Sequence, residues 1–234
     1  NDYDTARRQA NTAVANGDTE TKERGQLILA TLRSIIEGPA AAYDELQRLS
    51  KKASEPVAVR AELKRLEAGV LAGKMSANEA TTELEALRYR WRGDEVEMAT
   101  VSILADQYMR VGRFRDALLL AQSTALRDAS APGARDLRIK LSDYFRRLFL
   151  AGEADRLDPI QAVALFYEFD DTLMPIGPDG DQMVRKLAQR LVAFDLLAVE
   201  GRDIRSQPQA DRRRAIERLL SRAKPPLYLT PMTR

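Results

Sequence analysis

The stretch Val101–Ala125, VSILADQYMRVGRFRDALLLAQSTA, decides the fold. Val101, Leu104, Ala105 and Tyr108 recur at i, i+3, i+4 and i+7, the spacing that gathers apolar residues on one face of an α-helix. Gly112 interrupts the pattern, and Phe114, Ala117, Leu118, Ala121 and Ala125 resume it on a second helix. Two short amphipathic helices joined at a glycine, with small residues where they cross, predict a hairpin that stacks on further hairpins. Units of this kind recognise partners far more often than they perform chemistry.

Composition agrees with this reading. The chain has 234 residues, enough to bury a sizeable core as one large domain or two small ones. Only 6% of its residues are aromatic, and Ala, Leu, Arg and Glu abound, which favours helix over sheet. No apolar run approaches the ~18 residues of a membrane span. There is no Cys and no His. That removes thiol nucleophiles, disulfides, histidine bases and the usual zinc sites, and leaves carboxylates, Lys, Tyr and Ser/Thr as catalytic equipment. No metal or cofactor is expected. The opening NDYDTARRQ is too polar for a secretory signal and reads as an interior stretch, so a folded piece of a longer parent chain with other domains is expected. The expected setting is soluble, in bacterial periplasm or cytoplasm, with a slight lean to the periplasm.

Working outward, the pattern is helix after helix. Helices are predicted over 3–15, 21–37, 40–51, from 55 to about 71, from 77 to about 91, over 135–150, 160–169 and 182–199, and over 210–223. On the second of these the apolar side is Leu27, Ile28, Leu32 and Ile35. Ser76 with Glu79 three residues on is a capping box. Thr172–Asp181, with two Pro and two Gly, reads as one irregular segment with Asp181 capping the helix after it. Pro225–Pro231 reads as extended.

The glycines at the centres of the candidate hairpins, Gly38, Gly73, Gly112 and Gly152, are 35, 39 and 40 residues apart. A recurring unit of about 34–45 residues marks a helical-hairpin solenoid. Val101, Leu104-Ala105, Tyr108, Gly112, Phe114, Ala117, Ala121 and Ala125 together resemble the tetratricopeptide repeat. In that family these positions hold the first-helix Trp or Leu, the Leu-Gly/Ala pair, the Tyr, the turn Gly and the second-helix aromatic and Ala series. The last Ala is one place late, with Thr124 in the usual spot. Tyr3, Ala6, Ala10 and Ala13 resemble the second helix of a preceding repeat. The other units are more degenerate: Ala30, Thr31 and Ser34 stand where larger residues are usual, the Gly73 hairpin is one residue out of register, and Phe145 occupies a small-residue position. The segment QAVALFYEFDD and the turn RYRWRGD are similar to parts of large bacterial repeat proteins, a similarity that names no function.

The predicted fold class is therefore all-α, an α-solenoid of stacked antiparallel helical hairpins of irregular tetratricopeptide type. Residues 1–170 are expected to form the array. Residues 171–200 add an irregular loop and a packing helix that continues the solenoid, and 201–234 a basic helix and a Pro-rich tail.

In such an array the first helix of each hairpin lines the concave side. The partner-facing positions predicted there are Ser102, Asp106, Met109 and Arg110, then Ser142, Arg146 and Phe149 of the next unit. Residues 201–234 carry nine Lys/Arg against three acids, so that +6 sits on a body of −4. Within them Arg212, Arg213, Arg214, Arg218 and Arg222 form a basic strip that could meet an anionic surface. A solvated helix is the plainer reading. Arg88-Tyr89-Arg90-Trp91-Arg92 interleaves cations with aromatics, a pattern that could contact nucleic acid or an acidic peptide, yet Trp91 shares a helical face with Leu84 and Leu87 and is expected to pack inward with the arginines solvated. Glu168, Asp170 and Asp171 are the one acidic cluster suited to acid–base work, and a helix end entering a loop explains them better. Gly177–Asp181 lacks the carboxylate spacing and closing Glu of a calcium loop. The expected function is a non-catalytic scaffold or adaptor that binds a peptide or partner helix of another protein, without cofactor and without nucleic acid. The alternatives are the helical domain of a carboxylate-based enzyme of cell-wall type, and anionic-surface binding through the basic tail.

Overall fold

The computed structural model describes residues 2–92, 94–127, 129–199, 202–203 and 206–220, with side chains beyond Gln189 only in part. The protein is all-α. Eleven α-helices follow one another among the described residues: α1 (Tyr3–Asn16), α2 (Thr19–Ile36), α3 (Pro39–Lys52), α4 (Glu55–Leu71), α5 (Ala77–Arg90), α6 (Glu95–Arg110), α7 (Phe114–Arg127), α8 (Ala134–Phe149), α9 (Pro159–Leu173), α10 (Pro178–Leu197) and α11 (Gln209–Leu220). A 3-10 turn, Glu153–Arg156, lies between α8 and α9. The β structure among the described residues is one antiparallel pairing, Ala198–Val199 with Arg202–Asp203. No described helix is long and apolar enough to cross a membrane.

The helix boundaries follow from local chemistry. Asp18, Asp94 and Asp158 each cap a helix by accepting a hydrogen bond from a first-turn N–H, of Thr21, Val96 and Ile160. The Ser76–Glu79 capping box forms in both directions. Pro39, Pro56 and Pro159 sit in first turns, where the missing N–H costs nothing. All four hairpin glycines take positive φ. At Gly112, φ is +79° and a Cβ would meet nothing within 4 Å, so the backbone conformation rather than space selects glycine there.

One segment departs from expectation. Of Thr172–Asp181, only 174–177 is irregular: α9 continues to Leu173 and α10 begins at Pro178. Asp181 is accordingly inside the first turn of α10, with its N–H on Gly177 O, and does not cap the helix. Pro175 stops α9 because the ring pushes the residue before it, Met174, into extended backbone and its missing N–H cannot continue the helical hydrogen bonds, and Pro178 opens α10 because the ring suits a first turn.

The chain divides into two compact units, residues 1–144 and 145–234, the division falling inside α8. In the first unit each helix from α1 to α7 packs on the next, and α4 also touches both α2 and α6. Much of its core is alanine and leucine. Ala30 of α2, Ala42, Leu46 and Leu49 of α3, and Ala61 and Ala68 of α4 form one buried cluster, where the small side chains let helix axes come close. Tyr43 lies against Gly69 of the next helix. In the hairpin of α6 and α7, Val101, Leu104, Ala105, Tyr108, Phe114, Ala117, Leu118, Ala121, Thr124 and Ala125 are all buried. The second unit is more aromatic: Phe145, Phe149 and Phe166 meet with ring centroids 4.8–5.4 Å apart.

Candidate functional site

A groove of about 650 Å³ crosses the first unit, and α2, α4, α6 and α8 contribute its walls. Helical periodicity presents the lining. Val96, Ala99, Ile103 and Asp106 recur at i, i+3, i+7 and i+10 on the face of α6 that the hairpin core leaves open. Arg60, Leu63, Lys64 and Glu67 fall at i, i+3, i+4 and i+7 on α4, and Leu27, Ile28, Thr31 and Leu32 at i, i+1, i+4 and i+5 on α2. The floor is apolar. Leu63 and Val96 are fully covered, while Ile28 is 46% exposed.

The polar groups of this groove are tied to one another. Arg60 Nη2 is 3.3 Å from both Asp94 Oδ2 and Glu95 Oε1. Lys64 Nζ is 2.9 Å from Glu67 Oε2. Lys140 Nζ donates to Asp106 Oδ2 at 2.5 Å and to Ser102 Oγ at 2.7 Å, and Tyr144 Oη donates to Asp106 Oδ1 at 2.6 Å. Thr31 Oγ1 donates to Leu27 O at 2.8 Å within its own helix.

Of the residues nominated from the sequence, Ser102 and Asp106 line this groove. Arg110 is exposed, one turn beyond Asp106, and Ser142 is half-buried. Met109 and Phe149 are not partner-facing: they are 2% and 6% exposed. Met109 is covered because α6 is packed by α4, α5 and α7 and so buries more than one stripe. Phe149 is held between the rings of Phe145 and Phe166. Arg146 pairs with Asp179. The α2 and α4 residues of the groove lie outside the positions that the spacing of α6 and α8 predicts. Their signal was an apolar stripe on α2 wider than the core covers: Ile28 and Ile35, expected inside, are 46% and 56% exposed.

The remaining candidates are dispersed. Glu168 and Asp171 are exposed and Asp170 is half-buried. Burial pushes the Asp170 carboxyl above its ordinary value, against the opposing N–H of Asp171 at 2.9 Å. None of the three lines the groove. Among the described residues no three His, Cys, Asp or Glu converge as metal ligands. Tyr89 is 67% exposed, with the Arg88 and Arg92 guanidinium groups 5.0 and 5.8 Å from its ring centre. Arg90 turns away to Glu55 and Glu62. Trp91 is half-buried, with a buried indole N–H that has no hydrogen-bond partner. Of the basic strip, Arg212 is half-buried, Arg214 and Arg218 are exposed, and Arg214 pairs with Asp211 at 2.8 Å. Arg222 and the side chain of Arg213 lie outside the described residues, as does Pro225–Pro231.

No family model matches the chain, and no curated protein matches it in sequence.

Proposed function

We propose that residues 1–144 are a solenoid of stacked helical hairpins of tetratricopeptide type, and that the protein is a non-catalytic scaffold that docks a segment of another protein in the groove. The observation that carries this reading is which helices line the groove. α2, α4 and α6 are the first helices of the hairpins turned at Gly38, Gly73 and Gly112, and α8 is the helix that follows. An array whose first helices all face one concave surface has this arrangement. An apolar floor with a polar rim is the usual anatomy of a protein-binding surface.

The test places a photo-crosslinking amino acid at Ile28 or Ile103 in the groove, and at Leu126 outside it. Adducts specific to the groove positions identify the partner. The purified partner then binds the wild-type chain, and Ile103→Arg, checked for unchanged helicity, weakens that binding at least tenfold. Equal crosslinking at Leu126, or full binding by Ile103→Arg, overturns the proposal.

A further inference from the structure

We infer that the groove takes an uncharged, apolar segment of its partner, not an acidic or basic one. This rests on the docking reading above and adds the chemistry of the occupant. A groove that selects a charged ligand keeps charges or hydrogen-bonding groups for it, because desolvating an unpaired charge on either side is costly. Here each charged group is already engaged. Lys140 is committed to Asp106 and Ser102, Arg60 to Asp94 and Glu95, and Lys64 to Glu67. Among the lining side chains named here, cations and anions are equal in number, with Arg60, Lys64 and Lys140 against Glu67, Glu95 and Asp106. No excess of either sign is left to attract an oppositely charged chain. Even the hydroxyls are used, Thr31 on its own helix and Ser102 by Lys140.

What remains for a ligand is carbon surface. Leu27, Ile28, Ala99 and Ile103 are the apolar groove side chains still partly open above the covered Leu63 and Val96. The apolar strip continues along α2 beyond the groove, since Ile35 lies two turns from Ile28 on the same face and is 56% exposed. Covering such a strip draws on the hydrophobic effect, which needs no charge on the incoming segment.

The experiment selects a phage-displayed library of random dodecapeptides on the full chain and measures the recovered sequences as labelled synthetic peptides. The expected result is a core of recovered peptides depleted about threefold or more in Asp, Glu, Lys and Arg, as interface cores are. Their affinity changes less than about twofold between roughly 0.05 and 0.5 M salt, because an uncharged segment brings no charge whose attraction to the groove salt could screen. It is lost in Ile103→Arg and kept in Leu126→Glu, at an exposed position outside the groove. Peptides that need Ile103 but carry an acidic or basic core, with affinity falling steeply in salt, overturn this inference and leave the docking reading standing. Peptides indifferent to Ile103→Arg, or no enrichment at all, overturn both.

Discussion

Lys140 and Asp106 are joined across two helices, with Nζ 2.5 Å from Oδ2, and the second carboxylate oxygen accepts from the buried Tyr144 hydroxyl. One carboxylate thus pins α6 to α8 by two routes that substitutions can separate. Asp106→Asn keeps an acceptor for Tyr144 and removes the charge that Lys140 meets. That pair is about one-third exposed on each side, so the cost expected is only about 0–1 kcal/mol. Asp106→Ala removes both acceptors and should cost about 1–3 kcal/mol. Urea unfolding of both variants measures the difference. Equal losses would show that Tyr144 gains nothing from Asp106.

Tyr108 gives a pH signature. Burial, reinforced by its hydrogen bond to Glu85 at 2.5 Å, pushes the phenol up to about 12. The folded chain therefore holds this proton more tightly than the unfolded one, whose tyrosines titrate near 10. The stabilisation is complete below pH ~10 and is lost as pH rises towards ~12. Tyr108→Phe cannot ionise, so the difference in unfolding midpoint between it and the wild type should shrink across that window. A constant difference from pH 9 to 12 would refute the assignment. Subtracting the variant cancels every contribution that the two proteins share.

Gly69 and Tyr43 make a third test. A Cβ on Gly69 would sit 2.9 Å from Tyr43 Cε2. The ring is held in place, with Lys74 Nζ 4.7 Å from its centre and its hydroxyl 3.3 Å from the buried Arg65 guanidinium. Replacing a helical glycine by alanine normally gains about 0.5–1 kcal/mol. Here overpacking should reverse the sign and cost about 1–3 kcal/mol. In Gly69→Ala/Tyr43→Leu the clash is relieved, and the alanine should become neutral or stabilising relative to Tyr43→Leu alone. Thermal unfolding of the four proteins completes the cycle.

The hairpin of α6 and α7 was legible in the sequence because its glycine and its small residues each obey one dominant constraint. Gly112 answers to backbone angle, and Ala105, Ala117 and Ala121 to helix crossing. The groove was half legible. Ser102 and Asp106 follow from the phase of α6 alone, whereas its α2 and α4 walls depend on which helix lies beside which, a property no single helix records. Ile28 shows why. Its periodicity is that of a core residue, and only the neighbours determine whether that stripe is covered. The extent of α9 is hidden for a local reason: Asp170, Asp171 and Thr172 look like loop residues, yet nothing before Pro175 breaks the helix.

The neighbouring pair Met109 and Arg110 tests how the phase of α6 divides core from surface. Spacing puts both on the partner-facing side, but α6 is flanked by α4, α5 and α7, and Met109 is 2% exposed while Arg110 is open to solvent. Met109→Ala should therefore leave a cavity and cost about 2–5 kcal/mol, the range for large-to-small changes in a packed core. Arg110→Ala should change stability by no more than about 0.5 kcal/mol. Met109→Leu, close in volume, should recover most of the loss, to within about 1.5 kcal/mol of the wild type. Denaturant midpoints give all three values. If Met109→Ala were as mild as Arg110→Ala, Met109 would belong to the open face of α6, and the groove would extend one turn further than Asp106.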